Sequence, residues 1–259
     1  MSKMVSMKLP AGQIKSLKML DDGSYEVLIE MAEETVETLP TTAKEDDDLF
    51  VCIKASELRL TDEFMQHKPN GEREQKLKDA LEAVIKKGIP NFWRPRLDPS
   101  FDKKGNICFK AGEKPAVGKS YNWWRDNAKK FNPKRKSRLG TKSQYIAFLG
   151  VLIKALIAED WTVDEAWDAV CNDSKKLGHY WNSENAKHDF EPTGSRAIAG
   201  FYDLANTCKI LAEDEESGGF WLAGGRYGDD SDNFPLADLG HGNHCGSNLY
   251  FSVGWLVLS

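Results

Sequence analysis

His241, His244 and Cys245 stand within five residues of one another, and Asp238 lies three residues before the first of them. Imidazole, thiolate and carboxylate groups so close in the chain could converge on a divalent metal if one loop folded them inward. Asp229, Asp230 and Asp232 form a second, oxygen-only set of the kind that calcium takes. Both sets lie in one Gly-, Asn- and Asp-rich stretch, where clustering by chance is the simpler account. The other cysteines, Cys52, Cys108, Cys171 and Cys208, are scattered, and the total of five is odd. They read as free thiols of a reducing compartment. The expectation is therefore a protein without cofactor, without metal and without catalytic residues.

The stretch has a stranger property than its ligands. Residues 226–253 contain no Lys, Glu, Gln, Met or Trp, although these types make up roughly a quarter of the chain and about seven would be expected in such a window. The five missing types are those that no codon ending in a pyrimidine can encode, and every residue present can be so encoded. A surface loop would also lack Trp and Met, but it would not shed Lys, Glu and Gln together. Nor would it scatter Tyr227, Phe234, His241, His244, Tyr250 and Phe251 among glycines. Targeted replacement of adenines in asparagine codons would produce this alphabet.

Elements of fixed sequence must hold such a stretch in place. Phe220-Trp221-Leu222-Ala223 before it and residues 253–258 after it read as short buried strands, with Trp221, Gly254 and Trp255 as scaffold. Upstream, residues 141–159 form the strongest amphipathic helix, with Thr141 as its N-cap. Thr162 and Glu165 open a second helix with a capping box. A third helical stretch is expected around 201–211. Residues 72–87 are amphipathic through Leu77, Leu81, Val84 and Ile85, and Gly88 and Pro90 end that helix. The first sixty residues read as β-rich, with a hairpin of 13–20 and 24–31 about Asp21-Asp22-Gly23 and a further strand at 49–53. All eight tryptophans follow residue 88. The expected organisation is a small β-rich accessory domain (1–60), a linking helix (61–88) and a larger domain (89–259) with its variable part at about 226–252.

The borders of that part, Gly219-Phe220-Trp221-Leu222-Ala223-Gly224-Gly225 and Ser252-Val253-Gly254-Trp255-Leu256-Val257-Leu258, resemble those of the variable region in diversity-generating retroelement target proteins. The likeness extends to Arg138-Leu139-Gly140-Thr141-Lys142-Ser143-Gln144-Tyr145 and Gly194-Ser195-Arg196, and to Gly200-Phe201-Tyr202-Asp203-Leu204-Ala205-Asn206. These resemble formylglycine-generating-enzyme-type C-type lectin folds. The resemblance covers roughly 123–259. It implies an α+β C-type lectin fold, with helices packed on a small, twisted, mostly antiparallel sheet. It also implies a receptor-like binding protein whose surface is diversified by adenine-directed mutagenesis. The ligand-facing residues would be Arg226, Tyr227, Asp229, Ser231, Asp232, His241, Asn243, His244, Cys245, Ser247, Asn248, Tyr250 and Phe251, and the ligand a protein or a surface glycan. A fixed-specificity C-type-lectin-like binder of carbohydrate or protein is the alternative. A formylglycine-generating-type oxidase is a remoter one, since it needs a cysteine pair and Cys245 is alone in its loop.

Net charge is −5 and the isoelectric point near 5.7, which argues against a nucleic-acid partner. The basic run from Lys129 to Arg138 reads as a solvated loop. No signal peptide is visible at the N-terminus, so synthesis in the cytoplasm is expected, and no apolar stretch is long enough for a membrane helix.

Overall fold

The computed structural model describes residues 12–19, 25–31, 49–177, 192–194, 197–204, 209–224, 235–239, 241–242 and 252–259, with only the backbone described at 12–19, 25–31, 209, 241–242 and 252. The chain divides into two units, 1–45 and 46–259.

In the first unit, β1 (Gly12–Met19) and β2 (Tyr25–Met31) pair antiparallel, with a register shift between Ile14 and Ser16. This is the expected hairpin. The strand expected to complete it does something else. β3 (Phe50–Ile53) pairs antiparallel with β4 (Phe92–Pro95), so it belongs to the second unit. The boundary at residue 60 is thereby corrected to 45/46.

The linking role given to residues 61–88 is corrected as well. α1 (Glu72–Lys87) has the expected bounds and ends on Gly88, whose φ of 73° closes the helix in the left-handed conformation. Its face of Leu77, Leu81 and Val84 is sealed in the main core with Phe92, Tyr145, Phe148 and Trp167. Leu81 packs so closely on α3 (Lys142–Ala158) that a Cβ on Gly150 would lie 2.7 Å from its methyl carbon. A helix that supplies core is not a linker.

α2 (Tyr121–Phe131) starts at Ser120, whose hydroxyl accepts from Trp123 N. It buries Trp124 and Ala128, one turn apart. α3 starts in a capping box of Thr141 and Gln144, and α4 (Val163–Cys171) in the expected one of Thr162 and Glu165. Such caps satisfy N–H groups that the first turn leaves without partners.

The helix expected around 201–211 is not found among the described residues of that span. β8 (Ala197–Ile198) and β9 (Phe201–Tyr202) form a tight hairpin, and residues 209–214 are a strand. Ala199, Gly200 and Asp203 all have positive φ, at 50°, 74° and 55°. A right-handed helix cannot pass through such residues.

The central sheet has the order β12 (His241–Gly242), β11 (Gly219–Ala223), β10 (Lys209–Asp214), β13 (Ser252–Gly254). β10 pairs antiparallel with β11 and parallel with β13. Both faces are covered. Ala212, Trp221 and Ala223 face the core of α1, α3 and α4, whereas Leu211 and Leu222 join a second cluster with Trp124, Ala128 and Phe109. Beyond β13 the chain continues as β14 (Leu256–Val257), antiparallel to β7 (Arg138–Leu139), and Leu258 bridges to Trp93. The second unit also holds the short antiparallel pair β5 (Ser100–Phe101) and β6 (Ile107–Cys108). The fold is thus α+β, with helices packed on small, mostly antiparallel sheets. No helix among the described residues is long and apolar enough to cross a membrane.

Candidate functional site

Trp221, Gly254 and Trp255, read from the sequence as scaffold, are buried. Trp221 is 1% exposed and Trp255 4%. Both rings meet Tyr145 edge-on, at 5.6 and 5.3 Å between centroids. Each end of the frame closes on a glycine. A Cβ at Gly254 would fall 2.3 Å from Trp124 Cδ2, and one at Gly140 would fall 2.4 Å from Trp255 Cε3. The backbone adds two hydrogen bonds, Trp255 N–H to Leu211 O and Gly140 N–H to Trp255 O. β11 and β13 flank β10, so the two borders of the unusual stretch are about 10 Å apart at the usual strand spacing.

Of the thirteen ligand-facing residues, only His241 falls among the described ones, and only through its backbone, in β12 opposite Leu222. Arg226, Tyr227, Asp229, Ser231, Asp232, Asn243, His244, Cys245, Ser247, Asn248, Tyr250 and Phe251 lie outside the described residues.

The middle of the stretch is pinned to the scaffold, which the sequence did not announce. Pro235, Leu236 and Ala237 are buried. Leu236 N–H donates to Ser174 Oγ at 2.8 Å, and the Tyr145 hydroxyl donates to Leu236 O at 3.1 Å. Ala237 N–H donates to Val170 O. The Trp221 indole N–H reaches Leu239 O at 3.4 Å. The stretch between β11 and β13 is therefore divided by an anchor at 235–239.

Two polar clusters escaped the sequence reading. Beneath β4, Arg94 is 5% exposed and its guanidinium lies 4.6 Å from the centre of the Phe148 ring. Asp203, held left-handed, accepts from the backbone N–H groups of Asp98 and Gly194 at 2.9 and 2.8 Å. Asp98 is 4% exposed and its Oδ2 has no hydrogen-bond partner among the described residues. Burial, and the Asp203 carboxylate beside it, hold the Asp98 carboxyl well above the usual carboxylate range, against the pull of Arg94. Burial likewise raises Asp203 and the Tyr145 hydroxyl. Arg94 was detectable, since a strand that buries Phe92 buries the residue two positions on.

The second cluster surrounds His67. Its Nε2 lies 2.7 Å from Glu74 Oε2 and its Nδ1 2.9 Å from Asp164 Oδ1, and its ring stacks on Trp167 at 5.1 Å. Glu74, 2% exposed, also accepts from Asn70 N–H and Asn172 Nδ2. Both partners of His67 are carboxylates, so the arrangement has no nucleophile to activate. It ties a loop to α1 and α4. Cys171 is buried and its thiol is held high by that burial, the opposite of what a reactive thiolate needs. Cys52 and Cys108 are half-buried, while Cys208 and Cys245 lie outside the described residues. Among the described residues no three His, Cys, Asp or Glu side chains are placed to hold a metal. Comparison with protein families, with curated proteins and with solved structures finds no match for this chain.

Proposed function

We propose that the segment 226–252 is a ligand-binding surface, diversified by adenine-directed mutagenesis, on a scaffold of the C-type lectin type. The observation that carries the reading is the alphabet of residues 226–253, which lacks every residue that a pyrimidine-ended codon cannot encode. The frame supports it. A surface that must accept many sequences needs ends that do not depend on them, and both borders here are buried strands with tryptophans locked against fixed aromatics. The mixture suits adaptable recognition: Tyr, Phe and His supply rigid contact area, while Asn, Ser and Gly supply hydrogen bonds that conform to a partner. The ligand is a macromolecule, a protein or a surface glycan, and no turnover is involved.

The test is a block exchange. Tyr227, Asp229, Ser231, Asp232, Asn243, His244, Ser247, Asn248 and Tyr250 are replaced together by other residues of the same alphabet. Exposed positions change stability by about 0.5 kcal/mol or less each, so the expected result is cooperative unfolding close to that of the parent. A chain that no longer folds would show that these positions are core. At the level of the gene, a near-copy of its 3′ end beside a reverse-transcriptase gene is expected.

A further inference from the structure

The run from Lys129 to Arg138 is built, not loose. Lys129 and Lys130 occupy the last turn of α2, and Pro133–Arg135 forms a 3-10 turn. Ser137, 3% exposed, clamps the two together: its hydroxyl donates to Ala128 O at 2.6 Å and accepts from Asn132 N–H at 2.7 Å. The Asn132 side chain caps the turn by accepting from Arg135 N–H. Lys136 has a φ of 47°, a conformation that a lysine holds only where its surroundings impose it. A turn so over-determined presents its side chains with little ordering left to do.

What it presents is charge of one sign. Lys129, Lys130, Lys134 and Lys136 are exposed, Arg135 and Arg138 half-buried, and the run contains no Asp or Glu. None of the six makes an ion pair among the described residues, although nine other Lys and Arg side chains of the same unit do. Beside them lies Trp93, 37% exposed, one of two large apolar side chains so exposed among the described residues. The Arg135 guanidinium lies 5.0 Å from the centre of its ring. Through the Leu258 bridge and the β14–β7 pair, Trp93 is two strands from the clamp, or about 10 Å.

We infer that this ridge binds single-stranded nucleic acid through its phosphates, with Trp93 as the platform on which a base stacks. Cations follow the backbone and an open indole accepts any base, the combination that gives sequence-tolerant binding of single strands. The net charge of −5 spoke against such a partner, but it averages over the chain, whereas phosphates respond to charge within about a Debye length. An acidic polypeptide would meet the lysines equally well, but its carboxylates would not use the exposed indole, whereas every base has a face to stack on it. The site is remote in sequence from residues 226–252 and does not depend on how that segment is read.

The experiment titrates the full chain into a fluorescein-labelled 20-nucleotide oligo-dT, by anisotropy, at 50 and 200 mM KCl. Three to six phosphate contacts predict binding that weakens about 20- to 300-fold between the two salts. Replacing Lys129, Lys130, Lys134 and Lys136 together by Gln should flatten that dependence to about sevenfold or less. Trp93→Ala should weaken binding about five- to hundredfold, and Trp93→Phe, which keeps a ring, about threefold at most. Melting curves of each variant confirm that it folds. Absence of binding at 50 mM KCl overturns the inference, as does indifference to the four Gln replacements. A polyglutamate peptide bound as tightly as the oligonucleotide, with Trp93→Ala without effect on either, overturns it in favour of an acidic protein partner.

Discussion

Trp255→Ala tests where the scaffold ends, because Tyr250 stands only five residues before it. The Trp255 indole is 4% exposed and touches Phe92, Tyr145 and Phe148, with centroids at 5.7, 5.3 and 6.1 Å. An indole buries ~200 Å² of surface, which at ~25 cal/mol per Å² amounts to ~5 kcal/mol. Core aromatic-to-alanine changes cost about 3–5 kcal/mol, and the close fit of Gly140 beneath the ring leaves little room for collapse, so the upper half of that range applies. In a domain of this size each kcal/mol lowers the melting temperature by about 2–4 °C. Trp255→Ala should therefore lower it by about 10–20 °C, or prevent folding, whereas Tyr250→Ala should move it by about 2 °C at most. Thermal melts followed by circular dichroism, with urea titration as a second measure, give both values. Equal losses for the two variants would refute the reasoning, because Tyr250 would then be core and the variable surface would start elsewhere.

Two further outcomes follow from the second unit. Asp98 takes up a proton more readily in the folded chain than in the unfolded one, because burial and Asp203 disfavour its charge. Over the range between its ordinary value near 4 and its raised one, the folded state binds more protons. Its contribution is therefore most favourable below about pH 4 and is lost as pH rises. Asp98→Asn should raise the melting temperature at pH 8 and leave it nearly unchanged at pH 3.5; a loss at both values would mean that the carboxylate is needed in its charged form. The division at 45/46 predicts that a chain of residues 46–259 folds alone and melts within about 5 °C of the full chain. Aggregation of that fragment, or a much lower melting point, would move the boundary toward the N-terminus.

What the sequence disclosed follows from the range of each signal. α1, α3 and α4 are marked by periodic apolar residues and by local caps, Gly88, Thr141 and the Thr162–Glu165 pair, all within a few residues of the event they cause. Strands β11 and β13–β14 were legible as short apolar runs bounded by glycine. The pairing of Phe50–Ile53 with Phe92–Pro95 was not, because the partner lies some forty residues on and nothing local names it. The misread stretch at 201–211 shows the same limit. Apolar residues at 201, 204, 210 and 211 fit a helix and a pair of short strands equally, and the conformation that decides, positive φ at Ala199 and Asp203, is imposed by tertiary contacts. For Asp203 those contacts are the N–H groups of Asp98 and Gly194. His67, Glu74 and Asp164 meet for a similar reason, since the packing of α1 against α4 brings Asp164 to a histidine almost a hundred residues away.

The anchor at 235–239 separates two properties that the alphabet alone would merge. Pro235, Leu236 and Ala237 belong to the pyrimidine-codon set as fully as Asp229 or Asn243, yet they are buried. Leu236 is held by the Tyr145 hydroxyl and Ser174 Oγ, and Ala237 by Val170 O. All three bonds use only the backbone of the stretch, two through its N–H groups and one through its carbonyl, so they survive a change of side chain, except to proline at Leu236 or Ala237, which would remove a donor. Burial at Leu236 is stricter, because a polar residue there would enter the core without a partner. A mechanism that varies asparagine codons would have to spare position 236 or supply only apolar residues to it. If the segment is the variable surface proposed, the line between scaffold and surface is drawn by Tyr145, Val170 and Ser174, residues sixty to ninety positions upstream, and not by the codons of the segment that it divides.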